Sequence, residues 1–283
     1  MLRGFYPDSF GAYREPFLGS GAVFFDLVAR GRLDGRDAAL SDSNHDLIAC
    51  YRTVSEAPDA VVDELRRLAD SHARTGPGHY YDVRNNRFNP QRAALAAAHA
   101  PFHYTPALAA MFIYLNRTGY NGLFRLNAGG EFNVPEGRYL NPRICDEPNL
   151  RRAASALGRS GVTLAHAPFD RVLDGARRGD FVYFDPPYAP LSRTARFTGY
   201  TAAGFDLDDQ KKLRGVVIAL ATLGCHVVMS NSTAPEIAAL YENDAAVRTA
   251  GLRCFRVPAR RAINSNARRR GTIEEYVITN VRP

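Results

Sequence analysis

Apolar residues recur at helical spacing in parts of this chain and form short continuous runs elsewhere. Val61, Leu65 and Leu68 lie at i, i+4 and i+7, which predicts an amphipathic helix. A longer helix is predicted over residues 207–223, where apolar side chains share one face and Gly224 follows as a stop signal. Both patterns indicate helices that bury one face.

Short apolar runs that end in polar residues predict strands between the helices. They lie at residues 38–42, 162–164, 181–185, 226–230 and 274–279. Helices predicted at residues 22–30 and 150–157 alternate with these runs. Because strands and helices alternate, the pattern favours a three-layer α/β fold around a mainly parallel sheet.

The segment from about residue 55 to 140 breaks this alternation. It is rich in His, Tyr, Arg and Asn, and it contains a predicted helix at residues 106–116. Residues 127–130, Asn-Ala-Gly-Gly, have the composition of a hairpin turn. We therefore expect a mainly helical module at residues 55–140, inserted into an α/β domain formed by residues 1–54 and 141–283.

The composition excludes several classes of protein. The 283 residues suffice for one large α/β domain with an insertion. No apolar run is long enough to span a membrane, and the first residues lack the apolar core of a signal peptide, so we expect a cytoplasmic protein. The four cysteines lie far apart without metal-ligand spacing, which predicts reduced thiols and no metal site.

The charge balance favours a polyanionic partner. Lys and Arg number 36 against 29 Asp and Glu, which gives a net charge of +7. Only Lys211 and Lys212 are lysines, so arginine supplies nearly all of the positive charge. Its forked guanidinium group suits phosphates and guanine edges. A GC-rich gene would explain the preference for arginine, but it explains the net charge less well.

A narrow chemical motif follows the predicted strand at residues 181–185. Asp185-Pro186-Pro187-Tyr188 contains two prolines, which fix two φ angles and remove two backbone donors. The Asp185 carboxylate and the neighbouring carbonyls can accept the two protons of an amine, while Tyr188 offers a flat face to a planar base. The sequence thus predicts a socket for an aromatic amino group. A proline-rich strand exit with a structural aspartate is the alternative.

A glycine-bearing turn near the amino end predicts a cofactor site. Gly19 and Gly21 permit close approach of a ligand to the backbone, and the helix that follows favours an anionic group at its start. Asp42 lies 23 residues after Gly19, where an acid can bind ribose hydroxyls, although a helix cap or a turn residue beside Asn44 is an equally good interpretation. The lack of a Walker-A lysine and of a full Gly-x-Gly-x-x-Gly argues against ATP and, more weakly, against NAD.

Several segments resemble the Dam-like (D12 class) DNA adenine-N6 methyltransferases. They are Pro16-Phe17-x-Gly19-x-Gly21, residues 115–125 (LNRTGYNGLFR), residues 130–135 (GEFNVP), Asp185-Pro186-Pro187-Tyr188, Phe197-Thr198-x-Tyr200, Leu207 to Leu213, Ser230-Asn231-Ser232 and residues 261–265 (RAINS). They follow the family's order along the chain. The resemblance implies a Rossmann-like class I methyltransferase sheet, S-adenosylmethionine as cofactor without a metal, and double-stranded DNA as substrate.

The resemblance also implies a role for individual residues. The cofactor would contact Glu15, Pro16, Phe17, Gly19, Gly21, Asp42, Phe169 and Asp185. The target adenine, flipped out of the duplex, would bind Asp185, Pro186, Pro187 and Tyr188, supported by Phe197 and Tyr200. The DNA-facing residues of the module would be Arg117, Tyr120, Asn121, Arg125, Asn133 and Arg138. A small core of Tyr120, Leu123 and Phe124 is the alternative for part of that segment.

Two departures from the family pattern concern the cofactor. Family members usually begin with a Trp-Ala-Gly-Gly-Lys segment, whereas this sequence contains no tryptophan and begins after that place. We expect either weaker cofactor binding or a natural start further upstream. In addition, Pro168 replaces the acid that often precedes the phenylalanine of the adenine pocket, here Phe169. Asp170 is a possible substitute, but strand alternation would direct it elsewhere.

Other functions remain open at the level of sequence. Related Pro-Pro-Tyr sockets serve N-methyltransferases that act on RNA or on a protein glutamine. A non-catalytic DNA-binding relic is a further alternative, because the amino-terminal lysine segment is missing. For the methyltransferase interpretation we expect a monomer, with a restriction endonuclease acting on the same site as a candidate partner.

Overall fold

A computed structural model describes residues 2–76, 78–98, 102–189, 205–260 and 272–282. The chain divides into two compact units, one formed by Met1–Ser43 with Gly161–Pro283 and the other by Asn44–Ser160. The first unit contains the sheet, and the second is mainly helical. The fold is therefore α/β, with a Rossmann-like sheet interrupted by a helical segment.

The described α-helices occur in both units. They are α1 (Ala22–Ala29), α2 (His45–Glu56), α3 (Pro58–Thr75), α4 (Gly78–Asp82), α5 (Asn89–Ala97), α6 (Pro106–Thr118), α7 (Glu147–Leu157), α8 (Leu207–Leu223), α9 (Pro235–Tyr241) and α10 (Ala245–Thr249). A π-helical turn at Val83–Phe88 lies between α4 and α5. Short 3₁₀ turns occur at Leu2–Phe5, Tyr120–Gly122 and Phe169–Asp174.

Within the described ranges, the sheet of the first unit has seven strands. They are β1 (Tyr13–Glu15), β2 (Ala38–Asp42), β3 (Val162–His166), β4 (Phe181–Phe184), β5 (His226–Ser232), β6 (Arg253–Arg260) and β7 (Thr272–Thr279). Their order in the sheet is β3-β2-β1-β4-β5-β7-β6. Strands β1 to β5 are parallel, and β7 runs antiparallel to β5 and β6. The strand order reverses between β1 and β4, which is where ligands bind in open α/β sheets.

Successive side chains of the central strands face opposite sides of the sheet. Val182 and Phe184 of β4 pack in one apolar cluster with Leu213, Val217 and Leu220 of α8. Helix α8 begins with a capping box at Asp206 and ends at Gly224, which has φ of 92°. The sequence prediction of this helix is confirmed. Its buried face holds the strand that precedes Asp185.

The second unit has its own core, built from α2 to α7 and the segment that follows α6. Fully buried Tyr80, Tyr114 and Leu65 are central to it. Arg92 of α5 forms a bidentate ion pair with buried Asp46 of α2, with N–O distances of 2.6 and 2.8 Å. Because both partners are nearly buried, this ion pair fixes the two helices relative to each other.

The structure differs from the sequence predictions at some elements. The strands near residues 38–42, 162–164, 181–185, 226–230 and 274–279 are present, but the sequence pattern missed β6 and the helix α2. The second unit begins at Asn44 and ends at Ser160, whereas the expected module spans 55–140. The unit is wider because α2 and α7 contribute Cys50, Val54 and Ala154 to its core.

Candidate active site at the carboxyl edge of the sheet

Three acidic side chains lie at the carboxyl edge of the sheet, at the point where the strand order reverses. Strands β2, β1 and β4 are parallel neighbours. Asp42 ends β2, Glu15 ends β1, and Asp185 directly follows β4. Because parallel strands direct their carboxyl ends to the same edge, topology brings together acids that are far apart in the sequence.

Glu15 is the most deeply buried of the three acids, with an exposed fraction of 2%. The hydroxyl of Tyr13 donates a 2.9 Å hydrogen bond to its Oε2, and the backbone N–H of Phe24 also donates to it. Burial raises the pKa of Glu15 to about 8, and the charges of Asp185 and Asp42 add to that rise. Glu15 therefore holds its proton to a higher pH than a solvent-exposed glutamate does.

The glycine-bearing turn is bound directly to the end of β2. The backbone N–H of Gly19 donates a 2.9 Å hydrogen bond to Asp42 Oδ2. Gly21 has φ of 64° and precedes the first residue of α1, and a Cβ there would approach the Phe25 ring to 2.9 Å. Glycine is thus required at this position both by backbone conformation and by space.

The structure excludes one of the interpretations of Asp42, the helix cap. Helix α2 is capped by Asn44, whose side-chain oxygen accepts a 3.1 Å hydrogen bond from the N–H of Leu47. Asp42 is therefore not the residue that caps this helix. Its carboxyl group lies instead on the glycine-bearing turn, at the edge that it shares with Glu15.

An aromatic cluster borders the same turn. The rings of Phe17 and Phe169 stack at a centroid distance of 5.3 Å and an interplanar angle of 19°. Phe205 contacts both rings, at 5.6 and 5.7 Å. Phe169 is buried in this cluster, whereas Phe17 and Phe205 are partly exposed. The cluster offers an apolar surface beside the acidic edge.

Asp170 follows Phe169 and is held by a cation. Lys212 Nζ lies 2.6 Å from Asp170 Oδ2, and the same ammonium group lies over the Phe169 ring at 5.4 Å. The lysine lowers the pKa of Asp170. Within the described part of the chain, the other carboxylate oxygen, Oδ1, is buried without a hydrogen-bond partner.

The Asp185 side chain is accessible to solvent, although protein atoms surround much of its carboxyl group. The residue is exposed at the sheet edge, yet Ser230 Oγ donates a 2.7 Å hydrogen bond to its Oδ1. The surrounding protein displaces water from the carboxyl group and raises the pKa of Asp185, an effect that the Ser230 hydroxyl opposes. Pro186 is buried, and the Tyr188 ring is 38% exposed, with its hydroxyl 3.4 Å from Glu275 Oε2.

The end of β5 and helix α8 hold the backbone of the Asp185–Tyr188 motif. Gln210 Nε2 donates a 3.0 Å hydrogen bond to the Pro187 carbonyl, and Asn231 Nδ2 donates to Gln210 Oε1 at 3.2 Å. Ser232 Oγ donates to the Ala189 carbonyl at 2.8 Å. Gln210, Asn231 and Ser232 are all buried. Side chains of α8 and β5 therefore hold the backbone at two carbonyl groups, that of Pro187 in the motif and that of Ala189 directly after it.

The sequence offered only a weak signal for these supporting residues. Ser230-Asn231-Ser232 is a polar triplet at the end of an otherwise apolar strand, and it matched the family pattern without a stated role. Gln210 lies within the segment Leu207 to Leu213, which also resembles the family, but nothing in the segment singles out its side chain. Only the packing of α8 against the sheet brings its side chain to Pro187.

The candidate DNA-facing residues lie in the second unit, around the segment after α6. Arg117, Tyr120, Asn121 and Arg138 are exposed. Arg125 is half-buried, and its Nε donates a 2.7 Å hydrogen bond to Asn133 Oδ1. The backbone of Asn121 has φ of 55°, in the left-handed region that residues other than glycine rarely adopt.

The alternative of a small core applies to only part of this segment. Phe124 contacts Phe112 and Phe132, with ring centroids at 5.2 and 5.6 Å, and Leu123 also packs against the core of the unit. Tyr120 is instead 42% exposed. The segment thus combines core residues with side chains that are open to a partner.

Some predicted site residues lie outside the described ranges. They are Phe197 and Tyr200 and the segment 261–265. Among the described residues no group of three or more His, Cys, Asp or Glu side chains has the arrangement of a metal site. No helix in the described ranges combines the length and the apolar character needed to cross a membrane.

Comparison with known proteins identifies the family of this chain. The family model described as D12 class N6 adenine-specific DNA methyltransferase matches residues 6–253. A Type II methyltransferase of Lactococcus lactis subsp. cremoris is 33% identical over 97% of this chain and 88% of its own length. A Type II methyltransferase of Methanocaldococcus jannaschii is 36% identical over 95% and 88%.

Relatives also occur among proteins that carry the name DNA adenine methylase. The one from Escherichia coli strain K12 is 34% identical over 93% of this chain and 84% of its own length. An rRNA methyltransferase of Streptomyces viridochromogenes is a distant structural likeness, with a TM-score of 0.39 and 12% identity over 99% of this chain and 80% of that one. The sequence relatives and the family model together show that this chain belongs to the D12 class of N6 adenine-specific DNA methyltransferases.

Proposed function

We propose that this adenine-specific DNA methyltransferase binds S-adenosylmethionine at the carboxyl edge of β2, β1 and β4 and places a flipped-out adenine in the Asp185–Tyr188 motif. The observation that carries the proposal is the position of Asp185. Its carboxyl group stands at the strand-order reversal, beside Glu15 and close to the glycine-bearing turn. The cofactor pocket and the Asp185–Tyr188 motif that would hold the target adenine would thus be adjacent parts of one edge.

The chemistry of the edge fits S-adenosylmethionine. The cofactor supplies a methyl group on a positively charged sulfur and carries an ammonium group as well. Glu15, Asp42 and Asp185 form an acidic edge that complements these charges. Asp42 would accept hydrogen bonds from the ribose hydroxyls of the cofactor. Phe17, Phe169 and Phe205 would offer an apolar surface to the adenine ring of the cofactor. Pro16 and Gly21 shape the turn between them.

The acceptor motif would orient the amino group of the target base. Adenine N6 is hidden in a base pair, so the base must leave the stack. The Asp185 oxygen that does not bond to Ser230 and the Pro186 carbonyl would accept the two N6 protons, which directs the nitrogen lone pair toward the methyl group. Gln210 already occupies the Pro187 carbonyl. Tyr188 would stack on the extruded ring.

The reaction then requires positioning more than acid–base chemistry. Nitrogen forms a bond to the methyl carbon as the carbon–sulfur bond breaks, and the N6 amine releases one proton, for which the Asp185 carboxylate is a base within the site. Holding the nucleophile in line with the methyl group lowers the entropic barrier. Phe197 and Tyr200 would support the flipped base.

Residues of the second unit would bind the duplex. We propose that the exposed Arg117 and Arg138 contact phosphates or base edges, together with Tyr120, Asn121, Arg125 and Asn133. Residues 55–140 would form the target-recognition module. The net charge of +7 supports a polyanionic substrate. We further propose a cytoplasmic monomer; the names of the Type II relatives support a restriction endonuclease with the same site as a partner.

Product analysis tests this function directly. Unmethylated genomic DNA is incubated with the purified protein and S-adenosylmethionine labelled in the methyl group, digested to nucleosides and separated. We expect the label in N6-methyl-2′-deoxyadenosine released from the DNA. Label that appears only in RNA or in protein glutamine would contradict the proposal. Absence of all transfer, together with calorimetric titration that shows no cofactor binding, would favour the DNA-binding relic.

A further inference from the structure

Two buried hydroxyl groups lie behind the Asp185 carboxyl. Tyr183 and Asp185 are two residues apart at the end of β4, so their side chains share one face of the sheet. The register pairs Phe184 with Met229, which places Ser230 of β5 beside Asp185 on that face. Tyr183 is 4% exposed and Ser230 is 5% exposed.

The hydrogen-bond geometry assigns a direction to this group. Ser230 has one hydroxyl proton, and its oxygen lies 2.7 Å from Asp185 Oδ1, 3.1 Å from the Tyr183 hydroxyl and 3.4 Å from the Phe184 carbonyl. The carboxylate is both the nearest and the only charged acceptor of the three, so it receives the Ser230 proton. Tyr183 must then donate its own proton to Ser230. The chain of donors runs from Tyr183 through Ser230 to Asp185.

We propose that Tyr183 and Ser230 are positioning residues for methyl transfer, whose hydroxyl chain binds one oxygen of the Asp185 carboxylate and leaves the other directed at the target amine. The inference rests on the proposed function of Asp185. Neither hydroxyl touches the substrate. They act by fixing the plane of the carboxylate, which is needed because a rotated carboxylate would offer the amine no acceptor in the required direction.

The charged groups around Asp185 give the hydrogen-bond chain from Tyr183 through Ser230 to Asp185 a measurable effect on the pH dependence of the rate. Glu15 faces the carboxyl group from β1, Tyr188 faces it from the loop after β4, and Glu275 of β7 acts on Tyr188. Burial raises the pKa of Asp185, the Tyr188 hydroxyl lowers it, and the Ser230 hydroxyl lowers it more strongly. Removing that hydroxyl therefore raises the pKa further and moves the acidic limb of the rate profile to higher pH. The pKa of Tyr183 is raised by burial, so it remains a proton donor throughout.

The test compares single variants of the full chain in methyl transfer from labelled S-adenosylmethionine to unmethylated genomic DNA. We expect Ser230→Ala to lower kcat about tenfold or more, the loss typical of a hydrogen bond to a charged group. The KM for the cofactor stays within about twofold, because Ser230 lies behind the acceptor side. The acidic limb of kcat shifts to higher pH, and Ser230→Thr, which keeps the hydroxyl, restores both values.

A matched control separates positioning from loss of stability. Thr279 of β7 donates a buried 2.6 Å hydrogen bond to the Val227 carbonyl and is not part of the site. Thr279→Val removes one buried hydroxyl from the same sheet, as Ser230→Ala does. We expect both variants to lower the unfolding midpoint, and only Ser230→Ala to lower kcat.

A double-mutant cycle tests the order of the chain. Tyr183→Phe alone should lower kcat by about threefold, consistent with an indirect hydrogen bond, and should add nothing to Ser230→Ala. Additive losses of kcat in the double variant would overturn the proposal that Tyr183 acts through Ser230. If Ser230→Ala has an unchanged kcat and pH profile while Asp185→Asn is inactive, the positioning role of Ser230 is refuted. The proposed function of Asp185 is then unaffected. Full activity of Asp185→Asn would instead refute the proposed function itself.

Discussion

The side-chain amide of Gln210 donates a 3.0 Å hydrogen bond to the carbonyl oxygen of Pro187. Asn231, which is fully buried, holds Gln210 from the other side. This pair connects helix α8 and strand β5 to the backbone of the acceptor motif. The position of the motif therefore depends on a helix whose residues make no contact with the target base in the proposed arrangement.

Truncation of this side chain should impair catalysis more than cofactor binding. Gln210→Ala leaves the Pro187 carbonyl and the Asn231 amide without a partner, at a cost of about 1–3 kcal/mol in the free energy of unfolding. We expect kcat to fall while the Kd for S-adenosylmethionine stays within about twofold. Urea unfolding, calorimetry and rate measurements give the three values. A variant with normal kcat would show that the motif does not need this support.

Glu15 should make stability depend on pH. Its pKa is raised from 4.5 to about 8, so the folded protein holds this proton more tightly than the unfolded chain does. The stabilisation from the bound proton is complete below pH 4.5 and is lost as the pH rises through about 8. Each pKa unit is worth about 1.4 kcal/mol.

Glu15→Gln isolates this contribution, because the amide cannot ionise. In urea unfolding between pH 5 and pH 9 without cofactor, the free energy of unfolding of the wild type should fall relative to that of the variant. A bound cationic cofactor favours the ionised carboxylate, so cofactor should stabilise the wild type more at pH 9 than at pH 6. Parallel pH dependences of the two proteins would contradict the assignment.

Arg138 should contribute to DNA affinity through a phosphate. Arg138→Ala is expected to weaken binding to a duplex of mixed sequence and to reduce the slope of log Kd against log salt by about one. Arg67→Ala is the matched control, since Arg67 is exposed in the same unit but is paired with Glu64 at 2.6 Å. Equal effects of the two substitutions would indicate a diffuse charge effect rather than a contact.

The sequence was sufficient to predict the strand that presents Asp185, because β4 is a short apolar run that is followed by Asp185 and a proline pair. It was not sufficient to predict the support of Asp185. Ser230 lies 45 residues further along the chain, and its hydrogen bond depends on the register between β4 and β5. Register is a tertiary property that apolar spacing within one strand does not encode.

Two missed elements have local causes. Strand β6 is an edge strand with arginines and Pro258 in its sequence, a composition that protects edges from pairing with other chains and resembles a loop. Helix α2 begins at His45, shortly after β2 ends at Asp42, and its polar face obscures the apolar spacing. Asn44 caps this helix, and asparagine is a preferred capping residue, so the sequence contained a signal for the start of α2. From the sequence alone, however, Asp42 and Asn44 are both candidates for the cap.

Methyl transfer by Asp185→Asn tests the central claim most directly. Since Ser230 donates to Oδ1, the amide oxygen of the variant takes that position and its NH₂ group faces the target amine, donor against donor. We predict that incorporation of labelled methyl groups into duplex DNA falls at least about a hundredfold, with cofactor binding and the unfolding midpoint retained. Incorporation at the wild-type rate would contradict the account.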